Sequence, residues 1–278
     1  MDYGETKKWP RPEPAELVRL DGPDILWALT EDKGYGSTGY EPYRPMSEPT
    51  IFRSFAVITD ADGALAFFRA YGPLLADFKA CFHFDRRDDY REPVQLWLSR
   101  AFVMDEAVRL FDAKRKRDVD ATSALLRDGL PGDPRLKGYG GRIKDMYVPF
   151  GIRFFAQDPA LEGLSLFEQA EYVIGGMVNS NLHQNVSPEL VYDASQAGGV
   201  SLDLRPVNLL GAMWLMFART VLGQVIVQPC SHCGDWFAMS PESARKGRVY
   251  CADSCKVAAH RARTARQTES AESQEGDA

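Results

Sequence analysis

Four cysteines place the tightest limit on what this chain can become. They run Cys230-Ser-His-Cys233, then seventeen residues, then Cys251-Ala-Asp-Ser-Cys255. A C-x2-C pair lets two thiolates grip one ion from a tight knuckle. A C-x3-C pair sets its thiolates four residues apart, on one face of a helix's first turn. Together Cys230, Cys233, Cys251 and Cys255 supply the four ligands that tetrahedral Zn²⁺ takes, and leave no open position for water or substrate. One structural zinc per chain is therefore expected. Iron–sulfur ligation uses the same thiolates, but the basic helix that follows favours zinc. His232, between two ligands, and His260, beyond the last, are surplus to a completed shell.

A disulfide reading needs an oxidising compartment. The opening Met1-Asp-Tyr-Gly-Glu lacks the basic start and apolar run of a secretion signal, so a cytoplasmic protein is expected. Residues 207–227 form the longest apolar stretch; Arg219 interrupts it, and its charge-free part is too short to span a bilayer.

The expected fold class is α+β: a mostly helical body with short strands and a C-terminal treble-clef zinc finger, in the order knuckle, hairpin, helix. Residues 1–50, rich in Pro and Gly, read as an extended N-terminal segment whose Ile25-Leu26-Trp27-Ala28-Leu29 pins onto a core made elsewhere. Residues 51–225 read as a mainly helical α+β domain. Within it 51–59 looks like a strand and 64–78 like a helix interrupted at Gly72-Pro73. Residues 92–116 look like a helix with Leu96, Leu98, Phe102, Val108 and Phe111 on one face, ending in the solvated basic run Lys114-Arg-Lys-Arg117. Ser165 and Glu168 form a capping box, and the cluster Asn179, Asn181, His183, Gln184 and Asn185 marks that helix's end. Residues 190–204 read as a hairpin with a Gly-rich loop, and Pro206 opens a central helix that is apolar nearly all round. Residues 226–266 form the four-cysteine zinc finger, with Trp236 and Phe237 in its small core, and the acidic tail 267–278 is expected to be disordered.

The net charge of −6 is an average over unlike segments. Residues 226–266 carry seven bases and three acids, the tail carries −4, and residues 1–225 carry −6. Four thiolates with Zn²⁺ contribute −2 of their own, which brings the finger to about +2. At 100° per residue Lys256, His260 and Arg263 gather on one helical stripe flanked by Arg266, and the preceding loop adds Arg245, Lys246 and Arg248. These seven are the candidate nucleic-acid contacts. Charge compensation of the thiolates is the competing use of the same residues.

The pattern Cys-x2-Cys-Gly-x-x-Phe, a basic linker, an aromatic residue before Cys251, then Cys255 and Ala258-Ala-His-Arg-Ala-Arg263 (Ala-x-x-Arg-x-Arg) resembles the CGNR-type zinc finger of bacterial ABATE-domain proteins. The hairpin, Pro206 and apolar helix upstream are similar to that family's layout. In the family the second pair is usually one residue wider and its last Cys precedes Gly-Asn-Arg; here Cys255 precedes Lys256-Val257-Ala258. The resemblance implies a stress-linked transcription regulator that binds DNA or RNA through the finger.

Other constellations carry less. Cys81, His83 and Asp85 alternate as on one strand face, without an activating motif for thiol catalysis. Gly138-Tyr-Gly-Gly141 before Arg142 and Lys144 is neither a P-loop nor a dinucleotide fingerprint. Two further function classes stay open: a protein-interaction adaptor with a purely structural zinc clasp, self-associating or with a protein partner, and an enzyme whose pocket lies in the helical domain. No catalytic residue stands out, and no membrane partner is expected.

Overall fold

The computed structural model describes residues 9–12, 18–27, 40–75, 90–130, 151–192 and 199–275. Cys81, His83, Asp85 and the glycine run 138–141 lie outside the described residues. The chain divides into two compact units, Met1–Ala218 and Arg219–Ala278. Among the described residues no helix is long and apolar enough to cross a membrane.

The described parts of the N-terminal segment are mostly extended, as their composition favours. Strand β1 (Trp9–Pro12) pairs antiparallel with β4 (Tyr40–Tyr43). Strands β2 (Val18–Asp21) and β3 (Asp24–Trp27) form a hairpin turned at Gly22, whose φ of 60° suits glycine. β5 (Tyr90–Pro93) adds to the far side of β3. Ile25, Leu26 and Trp27 are buried, so this cluster does pin the segment to the core.

Helix α1 (Ile51–Ala56) occupies the stretch expected as a strand. Its β-branched and aromatic residues suggest a strand. Yet Ile51, Phe52, Phe55 and Ala56 are buried at helical spacing, and Arg53 makes a paired contact with Asp112 at 2.8 and 2.9 Å. Helix α2 (Ala61–Tyr71) starts where the Asp60 carboxylate accepts the Gly63 N–H at 2.8 Å and stops at Gly72, φ 83°.

The body is organised by α3 (Val94–Lys116). Its expected one-sided burial gives way to burial nearly all round. Leu96 and Leu98 are only half-buried, while Trp97 is wholly buried against Phe55, Phe67 and Phe68, with ring centroids 5.7 to 6.0 Å apart. The polar residues of α3 are tolerated inside because they have partners. Asp112 holds Arg53, and the buried Glu106 carboxylate accepts the N–H groups of Ile152 (3.1 Å) and Leu130 (3.4 Å). The basic run at its end is not merely solvated: Lys114 pairs with Glu171, and the Arg117 guanidinium lies over Phe167.

Asp118 caps α4 (Val119–Asp128), and the short α5 (Ile152–Phe155) packs Phe155 over Gly176 of α6 (Leu166–Asn185). The expected capping box opens α6: Glu168 accepts the Ser165 N–H at 2.8 Å and its hydroxyl at 2.5 Å. The hairpin follows as β6 (Val186–Tyr192) and β7 (Val200–Pro206), then α7 (Leu209–Val221). Pro206 ends the strand rather than opening the helix. Asn208 takes the capping role, its side-chain Oδ1 accepting the Gly211 N–H at 2.8 Å. Residues 209–218 of α7 are all buried, as an all-round apolar helix requires, with Phe217 packed on Phe52, Phe111 and Trp214.

A buried asparagine chain secures this turn. Asn181 donates to the Met177 carbonyl, Asn185 to the Asn181 carbonyl, and Asn208 to the Asn185 side chain, all at 2.7 to 2.8 Å. Two of the asparagines expected to cap a helix thus join α6 to α7 inside the body.

The second unit contains β8 (Ile226–Pro229), β9 (Trp236–Met239), the single-turn α8 (Pro241–Arg245) and α9 (Asp253–Glu275). α9 continues across most of the tail expected to be disordered. The segment is rich in Ala, Glu and Gln, good helix formers that extend a helix already nucleated at Asp253.

Candidate metal centre

The site is built on a hairpin whose turn is the knuckle itself. β8 and β9 pair antiparallel, with Pro229 opposite Trp236, and residues 230–235 close the end. The Cys230 N–H donates to the Asp235 carbonyl at 2.8 Å and the Gly234 N–H to the Cys230 carbonyl at 3.0 Å. Gly234 sits at φ 80°, which a side chain would resist. This turn puts both sulfurs of the first pair on one side.

The second pair is brought in by three ties. The Ser231 N–H donates to the Val249 carbonyl at 2.9 Å, and the Gln228 side chain to the Arg248 carbonyl at 2.8 Å. Arg248, though exposed, folds back along the module: its guanidinium lies 5.4 Å from the Phe237 ring centroid and donates to the carbonyls of Tyr250 (3.1 Å) and Cys251 (2.6 Å). Cys251 lands just before α9 and Cys255 in its first turn. Beneath them Cys230, Phe237 and Met239 form the small buried core, joined by Ile226, Ala244 and Tyr250. Phe237 is thus core, as expected, whereas Trp236 is exposed on the opposite face of β9.

The four sulfurs lie within 4.8 Å of one another. Cys251 Sγ is 3.4 Å from Cys255 Sγ and 3.7 Å from Cys233 Sγ. A tetrahedron with Zn–S of about 2.3 Å has edges of about 3.8 Å, so the spacing fits a four-thiolate ion. A disulfide needs sulfurs about 2 Å apart; all four are free. Neither His232 nor His260 belongs to the group; the His260 ring Nδ1 lies 3.4 Å from the Thr264 hydroxyl instead.

The electrostatics ask for a cation. Burial pushes the Cys230 thiol up, but the backbone N–H groups of Cys233, Cys251 and His232 more than offset it, bringing it down to about 6. The Asp235 N–H favours the Cys233 thiolate, yet burial and the neighbouring Cys230 and Cys251 sulfurs push that thiol up to about 11. Cys251 and Cys255 are also held above the usual thiol range. One thiolate forms easily and opposes the others, and a dication held among the four would relieve that opposition. The donor set therefore fits one Zn²⁺ in a closed shell.

The residues suggested for nucleic-acid contact separate into two groups. Lys246, Lys256, His260 and Arg263 are exposed, and among the described residues no carboxylate pairs with them. Arg248 is a strut of the metal site. Arg245 ends α8, and Arg266 continues α9 one turn beyond Arg263. Arg248's role was hidden from sequence because its acceptors are backbone carbonyls and a ring, which carry no motif.

The chain matches no protein-family model, no curated protein and no solved structure. In the helical unit, an open groove between α3 and α4 is lined by Arg109, Asp112, Lys116, Asp118 and Leu125. Three of its polar groups have structural duties: Arg109 binds Asp105, Asp112 binds Arg53, and Asp118 caps α4.

Proposed function

We propose that the four-cysteine module is a structural zinc finger that docks DNA or RNA by its basic helix, in the manner of the CGNR-type regulators it resembles. One observation carries the reading. Several bases of the helical unit are paired with carboxylates, as Arg53 is with Asp112, Lys114 with Glu171 and Arg205 with Glu189. Among the described residues Lys256, His260 and Arg263 have no such carboxylate, and they recur at i, i+4 and i+7 on one exposed stripe of α9. Exposed basic side chains along one helix face are what phosphate contact needs, with Lys246 adding to the field from the loop. The zinc's task is to fix where α9 begins.

Gel retardation of duplex DNA and single-stranded RNA across a salt series tests this. The zinc-loaded chain binds one or both at low salt, and Lys256→Ala with Arg263→Ala weakens binding while zinc content stays at one per chain. Loss of two phosphate contacts flattens the log–log salt slope by about 2. Arg248 is left intact, because its loss would disturb the metal site. Absence of binding to both nucleic acids at low salt refutes the proposal.

A further inference from the structure

The β6–β7 hairpin wears its polarity inside out. Its register sets Pro188 opposite Leu204, Leu190 opposite Leu202 and Tyr192 opposite Val200, so these six side chains share one face. All six are exposed: Leu190 and Tyr192 by 77%, Leu202 by 62%, Val200 by 56% and Leu204 by 42%. The other face carries the polar pairs Ser187–Arg205 and Glu189–Asp203, and Arg205 bridges Glu189 at 3.1 Å and Asp203 at 3.4 Å. A solvated two-stranded sheet ordinarily does the reverse. The apolar face is also shaped. Gly199, at φ 67°, leaves room for the Tyr192 ring, which a Cβ there would approach to 2.9 Å.

We propose that this face is a dimer interface, packed against the same face of a second copy about a two-fold axis. Three observations select that occupant. The five side chains of known exposure leave roughly 600 Å² open, the upper end for a patch on a monomer. Two such faces together cover about 1,200 Å², the lower bound for a stable, specific interface. The face itself carries no charge, so two copies meet without like-charge repulsion. Leu190–Leu202 is the middle one of the three apolar pairs, so a two-fold axis lying between two copies sets it against its own equivalent at the centre. Charge disfavours an anionic membrane: the strands hold Glu189 and Asp203 against Arg205 alone, and such a surface recruits Lys and Arg.

Sedimentation equilibrium of the full zinc-loaded chain, from about 1 to about 100 μM, reads the result. The expected species has twice the 31.1 kDa of the chain. Leu190→Lys with Leu202→Lys weakens association by about a hundredfold or more, with far-UV circular dichroism unchanged. If the lysines perturb folding, Leu190→Thr with Leu202→Thr keeps strand propensity and reads the same shift. A wild type that stays monomeric across the range overturns the proposal. So does a dimer that neither double variant weakens, or a monomer that binds anionic vesicles through this hairpin. None of these readings depends on nucleic-acid binding, so this proposal and the previous one fail separately.

Discussion

Stripping the metal should unfold residues 226–256 and leave the helical unit intact. The module's wholly apolar support is small. Besides the ligand Cys230, Val227, Phe237 and Met239 are its buried apolar side chains, worth together roughly 4.5 to 9 kcal/mol at about 1.5 to 3 kcal/mol each. A structural zinc contributes about 10 to 16 kcal/mol to folding, so chelation takes away more than the apolar core can supply. The helical unit has a separate and much larger core around Trp97 and Phe217. Hydrogen exchange read by mass spectrometry on the full chain, zinc-loaded against chelated under reducing conditions, distinguishes the two. The amides of Cys230, Ser231 and Gly234, which hold the knuckle, should lose protection by at least about a hundredfold. Amides along α3 should keep theirs. Cys251→Ser should reproduce chelation, because three thiolates no longer close the shell. Protection of 226–256 that survives removal of the metal, or a purified reduced chain holding far less than one zinc, rules out a module folded by its metal.

Two further outcomes concern the body. A Cβ at Gly211 would sit 2.0 Å from the Asn185 carbonyl oxygen, so Gly211→Ala must push α7 away and break the Asn185–Asn208 knot. The cost is about 3 to 5 kcal/mol, seen as a melting temperature about 10 °C lower; a change under about 2 °C would show the helix can shift freely. Burial raises Glu106 above the usual carboxylate range, against the opposing N–H groups of Ile152 and Leu130. Between its unfolded and folded values the native state holds the extra proton, so stability falls as pH rises through that window. Urea midpoints measured against pH should show that downward step in the wild type and lack it in Glu106→Gln; identical pH profiles would exclude it.

The sequence showed the two cysteine pairs and the capping box because each is local: spacing along a chain is enough to place two sulfurs on a turn or a carboxylate on an N–H. It misread α1 because Ile51, Phe52 and Phe55 have strand-like side chains, and only the distant Asp112, which receives Arg53, reveals the helix. It spread the burial of α3 wrongly for the same reason. Periodicity treats Asp112 and Glu106 as surface residues, while the fold gives them buried partners far along the chain. At the metal site the sequence supplied all seven basic residues but could not sort them. Arg248 is exposed like the others but is tied back, because Phe237 and two carbonyls stand where its guanidinium can reach, a fact of tertiary geometry alone.

The asparagine knot has a bearing on how this fold can vary. The chain departs from the body at Asn185 and re-enters at Val207, and the Val207 N–H closes the gap on the Asn185 carbonyl at 2.8 Å. Everything between is an excursion with its two feet already fastened. The entropy of joining those feet is met by the knot rather than by the ribbon, and loop length adds to that cost only logarithmically. The ribbon can therefore be lengthened, trimmed or exchanged for another without re-solving how α6 meets α7. A scaffold with such a socket can change what it touches while keeping the body that holds it.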